Sequence, residues 1–108
     1  MDLVNRFEVY LVEFDPTRGS EIKKTRPAVI ISPNEMNDVL NTVIVAPLTS
    51  TIKKYPSRVD CSIKGKRGQI ALEQIRCIDK SRLLNRFAIL DAAEQQNILS
   101  VLEQIFSP

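Results

Sequence analysis

Histidine and tryptophan are both absent from this 108-residue chain, and cysteine occurs only twice, as Cys61 and Cys77. With no histidine and no CxxC spacing, the chain lacks the usual ligand pattern of a zinc site, so no metal and no cofactor is expected. The missing imidazole also removes the ordinary near-neutral proton carrier. Acid–base chemistry would fall to carboxylates, arginine, lysine, tyrosine or hydroxyls. Cys61 stands in a strand-like alternation and reads as a small buried hydrophobe. Aromatic residues are scarce, with four Phe and two Tyr, which weakens any binder built on base stacking. No apolar run approaches the ~20 residues needed to cross a bilayer. Residues 1–14 include acidic side chains and lack the layout of a secretion signal. A cytoplasmic protein without membrane contact is the expectation, and that setting disfavours a Cys61–Cys77 disulfide.

What is present is an ordinary globular composition, 44% hydrophobic and 26% charged. The length suits one domain, 1–108, able to bury roughly 65% of its unfolded surface. Net charge is only +2, but its distribution is uneven. Lys53, Lys54, Arg58, Lys64, Lys66 and Arg67 cluster in the middle, opposed only by Asp60, while from Phe87 onward Asp91, Glu94 and Glu103 stand with no basic residue. Such a basic middle fits phosphate binding on one face and equally fits a solvated surface.

Periodicity gives five or six short strands and one helix. Val9-Tyr10-Leu11-Val12-Glu13-Phe14 reads as a strand, followed by a long polar loop through Asp15-Pro16 and Gly19 to Lys24. Pro27-Ala28-Val29-Ile30-Ile31-Ser32 is too uniformly apolar to be half-exposed, and a short helical turn is expected over 35–40. Thr42-Val43-Ile44-Val45-Ala46 is a further buried strand, ended by Pro47. Over 58–63, Val59, Cys61 and Ile63 alternate with Arg58, Asp60 and Ser62. A turn over 64–68 then leads into a return strand over 69–75. Ser81 caps a short turn, and 86–90 adds an edge strand. Asp91 and Glu94 have capping-box spacing, and Ile98, Val101, Leu102 and Ile105 form a helical apolar stripe. The pattern describes a small barrel or twisted sheet with a C-terminal helix, not a parallel α/β fold.

Polar groups gather at the ends of buried strands, in Lys23-Lys24-Thr25-Arg26-Pro27, in Pro47-Leu48-Thr49-Ser50-Thr51, and in Glu73-Gln74-Ile75-Arg76 with Asp79 nearby. If the second and third strands pair antiparallel, Arg26 and Thr49 share a groove. There a guanidinium fork and a hydroxyl suit a phosphate. Alternatively, Pro27 merely holds Arg26 extended, and the hydroxyls serve a local turn. These patterns alone leave both readings open.

These segments resemble the signature of the MazF/PemK (Kid) toxins. The likeness rests on Asp15-Pro16 with Gly19-Ser20-Glu21, on Lys24-Thr25-Arg26-Pro27-Ala28-Val29-Ile30-Ile31-Ser32, on Ala46-Pro47-Leu48-Thr49-Ser50, and on the run from Glu73-Gln74-Ile75-Arg76 through Leu83. The blocks keep the family's order and spacing over nearly the whole chain. The resemblance implies a mainly β, SH3-like barrel with a C-terminal helix, assembled as a homodimer. It further implies a toxin that cuts single-stranded RNA, mostly mRNA, at specific sequences and without metal, through attack of the ribose 2′-hydroxyl. The implied partner is a cognate antitoxin whose extended acidic tail fills the RNA groove. Carried over residue by residue, Arg26, Thr49 and Glu73 are the candidate catalytic groups, with Glu73 as base. Lys24, Ser50, Gln74, Lys53 and Lys54 are the candidate RNA contacts, and the loop 15–25 flanks the groove. Two departures stand out. The family often has arginine two residues before the carboxylate, where this chain has Ala71. It usually reads Arg-Gly-Asp near the start, where this chain has Arg6-Phe7-Glu8. The competing readings are a CcdB-like gyrase poison on the same barrel and an RNA-binding module that does not cut.

Overall fold

A computed structural model of the chain describes residues 3–14 and 25–108. Among them are seven strands: β1 (Glu8–Glu13), β2 (Thr25–Ile30), β3 (Thr42–Thr49), β4 (Arg58–Ile63), β5 (Lys66–Ala71), β6 (Arg76–Asp79) and β7 (Leu83–Ile89). A short helix α1 (Asn34–Asn37) precedes β3, and α2 (Ala92–Phe106) ends the chain. All pairings are antiparallel, in the order β4-β5-β3-β2-β1-β7, with β6 added to β3. This curled, mainly β sheet with a terminal helix is the expected architecture. The polar loop read over 15–24 lies outside the described residues.

The uniformly apolar strands are the ones covered on both faces. Val29 and Ala46 pack into one cluster beneath Ile98, while Ala28, Ile30, Val43 and Val45 pack into another on the opposite face. In β4, Val59 and Cys61 are buried while Asp60 and Ser62 are exposed, as their alternation required. The capping box of α2 forms in full. Asp91 accepts from the Glu94 N–H at 2.8 Å, and Glu94 accepts from the Asp91 N–H at 3.0 Å. The other oxygen of Glu94 accepts from the Ser62 N–H at 2.9 Å, tying the helix start to β4. Ile98 is fully buried beneath the sheet. Ile98→Ala is expected to lower the unfolding free energy by about 2–5 kcal/mol, seen as an earlier urea midpoint at an unchanged slope.

Several features differ from the sequence expectation. Pro47 does not end β3. It pairs with Ala28 between Val45, the last residue paired to β6, and Leu48, the first paired to β5. That change of partner leaves a place where a missing N–H breaks no ladder bond on that edge. The hairpin turn is shorter than 64–68. Lys64 and Gly65 alone make it, both at positive φ (51° and 80°), and β5 starts at Lys66. The return strand stops at Ala71, and a 3₁₀ turn (Leu72–Gln74) separates it from β6. Asp79, not Ser81, caps the following turn by accepting from the Ser81 N–H. At the far end of α2, Ile105 is 40% exposed, so the buried part of the apolar stripe stops a turn earlier.

Phe7 has a φ of 71°, the left-handed conformation that glycine adopts without strain. The bend directs its N–H to the Ile30 carbonyl at 2.8 Å and its own carbonyl to the Leu90 N–H at 3.1 Å. The buried ring joins the core under α2, which offsets the strain.

The neighbouring Glu8 is buried and fully engaged. Its Oε1 accepts from the Asn5 N–H at 2.7 Å, and its Oε2 from Arg86 at 2.6 Å. Burial pushes its carboxyl up, but the Asn5 N–H and the Arg86 guanidinium outweigh burial and hold it below the usual glutamate range. A carboxyl depressed by folding adds stability above its unfolded pKa and loses it as pH falls through the lower folded value. Glu8→Gln should therefore unfold less steeply with acid than the unaltered chain in parallel melts across that window.

Candidate active site

The pairing of β2 with β3 sets the site. Ala28 lies opposite Pro47, so the same register carried two residues outward brings Arg26 level with Thr49. Arg26 is exposed beside Val12 of β1, and Pro27 favours its extended backbone. Both residues line one groove of about 360 Å³. Ser50, Thr51, Lys66 and Arg67 add polar and cationic groups to that groove, while Leu48, Cys61, Ile63 and Phe87 supply apolar surface. Lys64 stands 5.3 Å from the Phe87 ring centre and adds another cation beside it.

The Thr49 hydroxyl accepts a hydrogen bond from the Thr51 N–H at 3.1 Å. This local bond does not spend the hydroxyl proton, which is left to donate to a phosphate oxygen. Arg26 offers a permanently charged planar fork on the facing strand tip. The groove's cysteine is chemically quiet. Burial, helped by Glu94 and Asp60, pushes the Cys61 thiol up to about 11, so it stays protonated near neutral pH. Among the described residues no cluster of three or more Cys, Asp or Glu side chains is arranged to hold a metal ion.

The remaining candidates scatter. Lys24 lies outside the described residues. Ser50 is in the groove, whereas Lys53 and Lys54 are exposed on the connection from β3 to β4 and do not line it. Glu73 and Gln74 sit in the 3₁₀ turn after β5, also off the groove lining. Glu73 accepts from the Ser57 hydroxyl at 2.7 Å and from Arg58 Nε at 2.8 Å. Burial pushes its carboxyl up, but the Ser57 and Arg58 hydrogen bonds and the Arg58 charge outweigh that and hold it below the usual range. A depressed carboxylate is a weaker base. Arg58 is the register partner of Ala71, so its guanidinium reaches Glu73 from across the hairpin. Arg58, Gln69 and Phe87 had no local signature as site residues. Their roles arise from cross-strand neighbours far away in sequence.

Residues 5–106 match the family model described as the PemK-like, MazF-like toxin of type II toxin-antitoxin system. An endoribonuclease MazF of Staphylococcus epidermidis is 36% identical over 107 residues, spanning 94% of this chain and 89% of its own length. The fold superposes on a MazE–MazF crystal structure (Form-II) from Deinococcus radiodurans with a TM-score of 0.84 at 25% identity, covering 97% of this chain and 96% of that one. MazF (Form-I) from the same organism gives 0.79 at 25% identity, covering 97% of each chain.

Proposed function

This chain belongs to the PemK-like, MazF-like toxins of type II toxin–antitoxin systems, and from that premise we propose that it is a sequence-specific endoribonuclease acting on single-stranded RNA without a metal. The observation that carries the reading is the meeting of Arg26 and Thr49 in one cationic groove. In the proposed reaction the ribose 2′-oxygen attacks the adjacent phosphorus as the bond from phosphorus to the 5′-oxygen breaks. A base takes the 2′-hydroxyl proton, the departing 5′-oxygen gains one, and the products are a 2′,3′-cyclic phosphate and a 5′-hydroxyl. Holding the three reacting atoms in line supplies much of the acceleration. Arg26 and the Thr49 hydroxyl stabilise charge on the nonbridging oxygens, where fixed donors act most strongly. Ser50, Lys66 and Arg67 hold the flanking backbone, with Gln74 as a neutral outer contact and Lys24, Lys53 and Lys54 as outer cations whose effect weakens with salt.

The proposed setting is the cytoplasm, as a homodimer restrained by an antitoxin whose acidic segment competes for the same cationic groove. No described helix is long and apolar enough to cross a membrane. The test is incubation with a transcript of known sequence in excess EDTA, followed by end mapping. Discrete cuts with cyclic-phosphate and 5′-hydroxyl ends support the proposal. A gel shift without cuts, or cuts only after divalent metal is restored, overturns it.

A further inference from the structure

We propose that Arg58 is a positioning residue that acts through Thr51 to hold the Thr49 hydroxyl toward the scissile phosphate, with Glu73 as its anchor. This inference rests on the endoribonuclease reading above and assigns a function to a side chain outside the groove lining.

Residues 50–57 join β3 to β4 without regular structure, yet they form the groove wall at Ser50 and Thr51. Side chains supply much of their hold. Gln69 receives the Lys53 N–H at 3.0 Å and donates to the Lys53 carbonyl at 3.1 Å, gripping one residue of the segment at both ends. Arg58 Nη1 donates to the Thr51 carbonyl at 3.2 Å and to Gln69 Oε1 at 3.2 Å, while Nε binds Glu73. The guanidinium lies 5.1 Å from the Tyr55 ring centre. Its side chain is only 7% exposed, so this is not a solvated surface lysine-type charge. A guanidinium so enclosed needs a counter-ion, and Glu73 provides one by staying ionised.

Thr51 links this clamp to the chemistry. Its carbonyl is held by Arg58, and its N–H occupies one lone pair of the Thr49 hydroxyl. Holding residue 51 therefore keeps one lone pair of the Thr49 hydroxyl occupied and narrows the directions in which its proton can point. Glu73 is in this arrangement an anchor for Arg58, with its two oxygens held by Ser57 and Arg58.

The experiment is a double-mutant cycle on the full chain, using a labelled single-stranded RNA oligonucleotide that spans a mapped cut. Arg58→Ala should lower kcat about tenfold or more with little change in KM. In a Thr49→Ala background the same substitution should change kcat by less than about twofold, because the group it positions is already gone. Equal losses in both backgrounds, or a loss confined to KM, overturn the proposal. Should Arg58→Ala fail to fold, Arg58→Lys keeps the charge beside Glu73 but loses the fork that reaches Thr51, and it reads out the same coupling. Glu73→Gln should slow cleavage no more than Arg58→Ala and leave the shape of the pH–rate profile intact. Disappearance of the acid limb would instead make Glu73 the base and overturn its anchoring role. An unaltered protein that cuts no RNA removes the endoribonuclease reading itself, whereas cleavage with additive losses removes only the role of Arg58.

Discussion

Arg26→Ala should cleave RNA about 10²–10³-fold more slowly than the unaltered chain, the usual cost of removing one preorganised donor from a developing oxyanion. The loss should fall on kcat. A charge-assisted contact gains strength as the phosphorane becomes more negative, so its removal costs the transition state more than the bound substrate. Arg26→Lys separates charge from shape. Lysine restores a cation on the same strand tip, but it presents a compact ammonium in place of a planar fork matched to two phosphate oxygens. It should recover only part of the lost rate. Folding should be unchanged in both variants, because Arg26 is exposed while β2 is held through Val29 and Ile30 in the two core clusters. A rate for Arg26→Ala within about fivefold of the unaltered chain, in a protein with the same melting curve, would exclude Arg26 from the chemistry.

The same register explains why this half of the site was legible in the sequence. β2 and β3 announce themselves as uniformly apolar runs, and antiparallel pairing of such runs must bring the start of one beside the end of the other. Arg26 and Thr49 sit at those two ends. The capping box at Asp91 and the alternation of β4 were equally local, and both persist in the fold. Pro47 reads locally as a strand breaker, yet it lies inside β3. Its tolerance comes from the exchange of β6 for β5 along one edge, which no local pattern reveals. Arg58 was visible only as one basic residue among several. Its partners are Thr51, Gln69 and Glu73, and their convergence depends on the hairpin register and on the stop of β5 at Ala71. Chemistry that depends on strand tips can be read from strands; chemistry that depends on a side chain crossing a hairpin requires the register.

Gly68 is where register and chemistry meet most tightly, and Gly68→Ala should damage both stability and turnover. A Cβ at this position would stand 2.8 Å from the carbonyl oxygen of Thr49. The obstacle is backbone, so no side-chain rotation can relieve it. Neither strand is free to yield, because Gly68 pairs with Cys61 on β4 while the adjacent Gln69 pairs with Thr49 on β3. Overpacking of this kind typically costs about 1–3 kcal/mol. The catalytic cost should be larger than that stability loss suggests, since relief of the clash moves the residue that carries the proposed donor hydroxyl. A displacement of ~1 Å at a positioned group can cost ~10²-fold in rate. Gly65→Ala is the matched control. It is strained by its φ of 80°, but its Cβ meets open space and it lies off the groove lining. It should lose stability with kcat near that of the unaltered chain. Urea midpoints and single-turnover rates on the same RNA compare the two. If Gly68→Ala is destabilised but cuts as fast as Gly65→Ala, the placement of Thr49 against β5 does not govern the reaction.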